Sequence, residues 1–182
     1  VNAAGTGPAS ASSAAATPLG VPGAPGAPSA TAGDTNSVLT WSAPSDGGSA
    51  ITGYAVQRSL SGGPFTAQPG CTGLGVVLTC TATGLNNGGS VRFRVAAINS
   101  AGQGLWSPAS SAITPFGVPA TPDQPSAIAG VTSVTVDWSP PSSNGSAITG
   151  YTVRQKVDAG AYVDVTASCE EHGLFPVSYT HL

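Results

Sequence analysis

Charge is what this sequence has least of. Only 7% of its 182 residues are Asp, Glu, Lys or Arg, where an ordinary globular chain carries roughly a quarter. Five basic residues, a net charge of -3 and a pI near 5.0 give no electrostatic footprint for nucleic acid or an anionic membrane. The eight acidic residues are scattered, and no pair of them recurs in a way that a glycosidase would need. Methionine is absent, and no apolar run approaches the ~18 residues of a membrane span. No signal-peptide pattern is visible, and no stretch keeps a helical period.

Glycine and proline are plentiful instead, at 25 and 16 residues. Disorder through self-repulsion requires high net charge and low hydrophobicity. A net charge of -3 and an apolar fraction of 40% argue for a turn-rich β-protein with a Ser/Thr/Ala surface.

The dominant feature is an internal repeat at an offset of 97 residues, without gaps. Thr17-Pro18-Leu19-Gly20-Val21-Pro22 falls on Thr114-Pro115-Phe116-Gly117-Val118-Pro119, and Trp41-Ser42-Ala43-Pro44-Ser45 falls on Trp138-Ser139-Pro140-Pro141-Ser142. Gly48 to Tyr54 recurs unchanged as Gly145 to Tyr151, and 24 of the 42 positions from 17 to 58 are identical to their partners. Asn2, Ala4, Gly5 and Gly7 likewise fall on Asn99, Ala101, Gly102 and Gly104. Val1 is therefore expected to sit late in a unit whose earlier part is not in this chain.

Within one unit, alternation marks the strands. Leu39 and Trp41 share a face, with Val134, Val136 and Trp138 in the partner positions; Tyr54 and Val56 form a second set, and Phe93, Val95 and Ala97 a third. Arg92 and Arg94 point the other way and read as a solvated face. Turn clusters separate the runs: Ser45-Asp46-Gly47-Gly48, Ser61-Gly62-Gly63-Pro64, Asn86-Asn87-Gly88-Gly89 and Asn99-Ser100-Ala101-Gly102. Short strands at this spacing indicate an all-β sandwich or barrel of about 95 residues per unit.

These motifs resemble a bacterial fibronectin type III domain. The likeness rests on Pro44 three residues after Trp41, Ile51-Thr52-Gly53-Tyr54-Ala55-Val56, Leu85-Asn86-Asn87-Gly88, Phe93-Arg94-Val95-Ala96-Ala97-Ile98-Asn99 and Gly102-Gln103-Gly104. The resemblance implies tandem immunoglobulin-like β-sandwich modules, each with seven strands in two sheets and the tryptophan in the core. One departure is Val91, where the family usually carries a tyrosine whose hydroxyl ties down a corner.

The expected organisation is one complete module and two partial ones. Residues 1–18 are the C-terminal remnant of a module, 19–115 a complete module, 116–173 the N-terminal part of a further module, and 174–182 a non-native or divergent tail. Residues 19–25 and 116–122 read as semi-rigid, proline-spaced linkers.

Cys71 and Cys80 bracket eight residues and flank Val76-Val77-Leu78, which reads as a strand. Two cysteines without a nearby histidine make a poor zinc site; the preferred reading is a disulfide and hence an oxidising compartment. Cys169 stands near the Cys71 position, shifted by one residue, with its partner outside the chain. Cys169, Glu170, Glu171 and His172 are adjacent in sequence, but neighbours on an extended chain face opposite ways and do not converge. His181 lies in the tail and carries no weight. Gly102-Gln103-Gly104 and Gly5-Thr6-Gly7 precede no helix, fail the context of a phosphate loop, and read as hairpin turns.

Trp106 is the candidate surface contact, for a sugar ring or, as the preferred reading, for packing on the linker or the next module. No catalytic residue, cofactor or metal is expected. The expected role is a non-catalytic spacer and interaction module of a bacterial secreted or cell-surface, adhesion-type protein. The alternative is an accessory module of a secreted polysaccharide-degrading enzyme whose catalytic domain lies elsewhere. Expected partners are other modules of the same chain and a polysaccharide or cell-surface protein, with no nucleic acid and no membrane insertion.

Overall fold

The computed structural model describes residues 1–16 and 18–165, together with the backbone of two later strands, Cys169–Glu171 and Val177–His181. Its first unit holds seven strands in two antiparallel sheets. One sheet has the order β1-β2-β5, from β1 (Ser29–Ala32), β2 (Ser37–Thr40) and β5 (Thr79–Ala82). The other has the order β4-β3-β6-β7, from β3 (Gly53–Leu60), β4 (Thr66–Ala67), β6 (Val91–Asn99) and β7 (Gly102–Gln103).

The alternating residues form the core between these sheets. Leu39, Phe93, Val95 and Ala97 are fully buried, and Trp41, Tyr54 and Val56 nearly so. Each large apolar side chain contributes about 1.5–3 kcal/mol by leaving water. The Trp41 and Tyr54 rings meet edge to face with centroids 5.5 Å apart, the geometry that their quadrupoles favour. Val91, in place of the family's tyrosine, is buried, and its backbone N–H donates to the Ile113 carbonyl at 2.9 Å.

Two sequence expectations change. Val76, Val77 and Leu78 form no strand and are exposed. Their segment crosses from one sheet to the other: Tyr54 N–H donates to Leu74 O, and Trp41 N–H donates to Leu78 O. A chain bridging two sheets cannot ladder with either, and Gly73 at φ +63° turns it out of extended geometry. The proline-spaced stretch after residue 19 is also more than a tether. Pro22, Pro25 and Pro28 are buried, and Gly23 N–H donates to Ser45 O at 2.9 Å.

From its first strand to residue 164 the second unit repeats strand pairings of the first at the offset of 97. β8 (Ser126–Ala129) pairs with β9 (Val134–Trp138), aligning Ser126 with Asp137 where β1 and β2 align Ser29 with Thr40. Trp138 and Tyr151 meet edge to face at 5.3 Å, as Trp41 and Tyr54 do. β10 (Arg154–Gln155) pairs with β11 (Val163–Asp164). The strands β12 (Cys169–Glu171) and β13 (Val177–His181) complete a sheet of order β12-β13-β9-β8. β13 takes the place beside β9 that β5 takes beside β2, but aligns Tyr179 with Val136, two residues away from the pairing of Leu39 with Cys80. An even slip preserves which residues share a face. The side chains of Cys169, Glu170, Glu171, His172 and His181 lie outside the described residues.

Candidate functional site

Trp106 is half-buried, and its ring meets a side chain of its own module. The Arg94 guanidinium lies over its ring, 4.9 Å from the centroid, and over the Phe65 ring at 4.3 Å. Gln57, the register partner of Arg94 on β3, accepts two hydrogen bonds from the same guanidinium through Oε1, at 2.9 and 2.7 Å. The outward strand face read as solvated is thus divided. Arg92 is exposed, while Arg94 is held between two rings and an amide. The partners missed by sequence reasoning are Phe65 and Gln57. An outward arginine on a central strand, with Phe65 just before β4 and Trp106 just after β7, was the available signal.

The segment after Trp106 explains how the ring is held. Pro108 interrupts any regular ladder because it lacks an N–H. Two buried serines substitute for the ladder. Ser107 Oγ accepts from Val95 N–H and Ser110 Oγ accepts from Phe93 N–H, both at 3.0 Å. Ser107 and Ser110 N–H in turn donate to Val95 O and Phe93 O at 2.8 Å. Trp106 therefore sits at one end of a chain fixed to β6.

Cys71 and Cys80 form a disulfide with Cα atoms 5.7 Å apart. Both half-cystines are buried in the core cluster, so the bond ties the crossing segment to β5. Among the described residues, no three His, Cys, Asp or Glu side chains gather closely enough to hold a metal ion, and no helix is long and apolar enough to cross a membrane.

A cleft of about 550 Å³ opens in the second unit. Its apolar wall includes Val134, Val136, Trp138, Tyr151, Val153 and Val165. At the offset of 97 these correspond to Ser37, Leu39, Trp41, Tyr54, Val56 and Gln68, every one buried in the first unit. There they share the interior with Phe93 and Val95 of β6. Among described residues 116–165 none is buried. The cleft has the lining of a module core, not of a ligand pocket.

Comparisons with known proteins agree with this geometry. Human protein sidekick-1 is 31% identical over 126 residues, 66% of this chain and 6% of its own length. Mouse protein sidekick-1 is 30% identical over 125 residues, 65% of this chain and 6% of its own length. The chain thus spans only a small part of these relatives. Among solved structures, the chicken CNTN1 FN1-FN3 domains match 89% of this chain and 56% of theirs, with a TM-score of 0.51 and 25% identity. The family pattern of the fibronectin type III domain matches residues 23–113. With half of its length matched and the two-sheet sandwich in place, this chain belongs to the fibronectin type III domain family.

Proposed function

We propose that the chain is a stretch of a tandem array in which non-catalytic modules act as spacers and interaction surfaces of a secreted or cell-surface protein of adhesion type. The carrying observation is that the second unit repeats the strand register and the Trp–Tyr core contact of the first at a fixed offset of 97. Only the stretch Pro115-Phe116-Gly117-Val118-Pro119 lies between them. Its prolines limit bending, so successive modules add length. The nearly uncharged surface offers few strong contacts, which suits a spacer better than a high-affinity receptor. The disulfide supports an oxidising, extracellular setting. Residues 1–18 are assigned to a preceding module and residues 116–173 to a following one. The bacterial source rests on the motif resemblance alone; the relatives named above are human and mouse.

The accessory-module alternative would use Trp106 as a platform for a sugar ring, but Arg94 already occupies one face of the indole. Small-angle scattering from a chain of three intact modules tests the spacer reading. An extended rod with restricted bending and no hydrolase activity is expected. A compact envelope would overturn it, and saturable polysaccharide binding abolished by Trp106→Ala would favour the alternative.

A further inference from the structure

The stretch joining the two units is bonded on both sides. Toward the first unit, Gly88 N–H donates to Pro115 O at 2.9 Å and Phe116 N–H donates to Gly33 O at 3.2 Å. Toward the second, Gly117 N–H donates to Asn144 O and Ala120 N–H to Ser142 O, both at 2.9 Å, while Asn144 Nδ2 donates to Val118 O at 2.8 Å. Two glycines allow this closeness. A Cβ on Gly117 would stand 2.6 Å from Asp34 Oδ1 and 2.7 Å from Asn87 Nδ2. A Cβ on Gly145 would meet Pro115 O and stand 2.7 Å from Gly88 N. The Asn86–Gly88 loop of one unit is thereby seated on the Asn144–Gly145 turn of the next.

The receiving half of this joint is present a second time, at the other pole of the complete module. Gly20 N–H donates to Gly47 O at 2.8 Å and Gly23 N–H to Ser45 O at 2.9 Å, the same two bonds at the offset of 97. Gly48 has φ +86° and Gly145 φ +87°. Asparagine tolerates a left-handed backbone, and Asn144 adopts φ +48° beside Gly145. Glycine at 145 is demanded further by the neighbouring backbone, and Gly48 is the same residue in the same turn.

The first residues also carry the marks of a unit's last strand. Asn2 Oδ1 accepts from Ala4 N–H at 2.9 Å as Asn99 Oδ1 accepts from Ala101 N–H, and Gly5 and Gly102 have φ +132° and +130°. Ser10 and Ser13 fall on Ser107 and Ser110, the serines that substitute for the ladder to β6.

We propose that the Asp46–Ser49 turn is a docking seat for a preceding module of the same kind, whose Asn-Asn-Gly-type loop presses on Gly48 as Gly88 presses on Gly145. The seat makes the stretch around Gly20 part of a fixed joint. This rests on the array reading, and one experiment separates the two. Prefixing residues 19–97 to Val1 of the full chain brings residues 1–18 into register as the end of a complete module. Residual dipolar couplings are then measured for the added module and for residues 19–115, with and without Gly48→Asn, asparagine being the side chain that best tolerates a left-handed backbone. One shared alignment in the parent, split into two by Gly48→Asn, is the expected result. An added segment that fails to fold would overturn the array reading and the seat with it. A folded module with its own independent alignment, or a shared alignment that survives Gly48→Asn, would overturn the seat alone. On the unextended chain the melting midpoint of Gly48→Asn reads the cost of a side chain at φ +86° by itself, apart from the joint. There, Gly145→Asn should speed amide exchange at Gly88 and Gly117 by up to about tenfold, the scale of one lost hydrogen bond. Unchanged exchange would remove the observed contact on which the seat is patterned.

Discussion

Arg94 and Trp106 form a stack 4.9 Å from guanidinium carbon to ring centroid, on the outer face of the sheet that buries Phe93 and Val95 on its inner face. A partly desolvated cation on an indole is worth about 0.5–2 kcal/mol, and the arginine stem adds packing. Trp106→Ala is therefore expected to lower the unfolding free energy of the first module by about 1–2 kcal/mol in urea titrations. Arg94→Lys, which retains the charge but loses the planar fork to Gln57, should cost less. If Trp106→Ala leaves the midpoint unmoved, the stack has no structural role.

The Cys71–Cys80 bond closes a short loop, for which the chain-entropy relation gives roughly 2.5–3 kcal/mol. The double change to alanine should destabilise the module on that scale. Thiol titration of the unfolded, unreduced chain should find at most one reactive thiol, that of Cys169. Finding three would show the bond absent.

Tyr54 supplies a pH dependence. Its hydroxyl is buried without a hydrogen-bond partner among the described residues, and burial pushes its pKa above the ordinary value of 10.0. The folded state thus holds this proton more tightly than the unfolded state. The resulting stability is fully present below about pH 10 and is lost as pH rises through the raised folded value. Tyr54→Phe should be close to neutral at pH 7, because it removes an unsatisfied group. It should also flatten the alkaline loss of stability; a variant that loses stability as steeply as the parent would contradict this.

The two units should differ in protection. The first has a closed core, whereas the described part of the second has no buried residue and an open cleft of about 550 Å³. Amide exchange is expected to be slow in β3 and β6 and fast through β8 to β11. Equal protection in both would mean that the second unit finds a cover that this structure does not show.

Much of this was legible in advance because a sandwich strand writes its burial as a period of two. Leu39 and Trp41, Tyr54 and Val56, and Phe93, Val95 and Ala97 alternate in sequence, and all are core. The cysteine pair was legible from its spacing and the poverty of metal ligands nearby. Val76–Leu78 misled because an apolar β-branched run has the composition of a strand whether or not a partner lies beside it. Arg94 misled for a related reason: alternation says which side of the sheet a residue faces, but not what else arrives on that side.

The sequence by itself determined the repeat length, the strand faces, the family and the residues paired in the disulfide, since these depend on local period and on comparison of the chain with itself. Tertiary structure alone decided the rest. It put Phe65 and Trp106 around Arg94, handed the β6 ladder to Ser107 and Ser110, sent Val76–Leu78 across the gap between sheets, and set Gly145 against Gly88. Each of these joins residues from separate segments, and their contact depends on sheet twist, crossing path and close backbone approach, none of which leaves a period in the sequence.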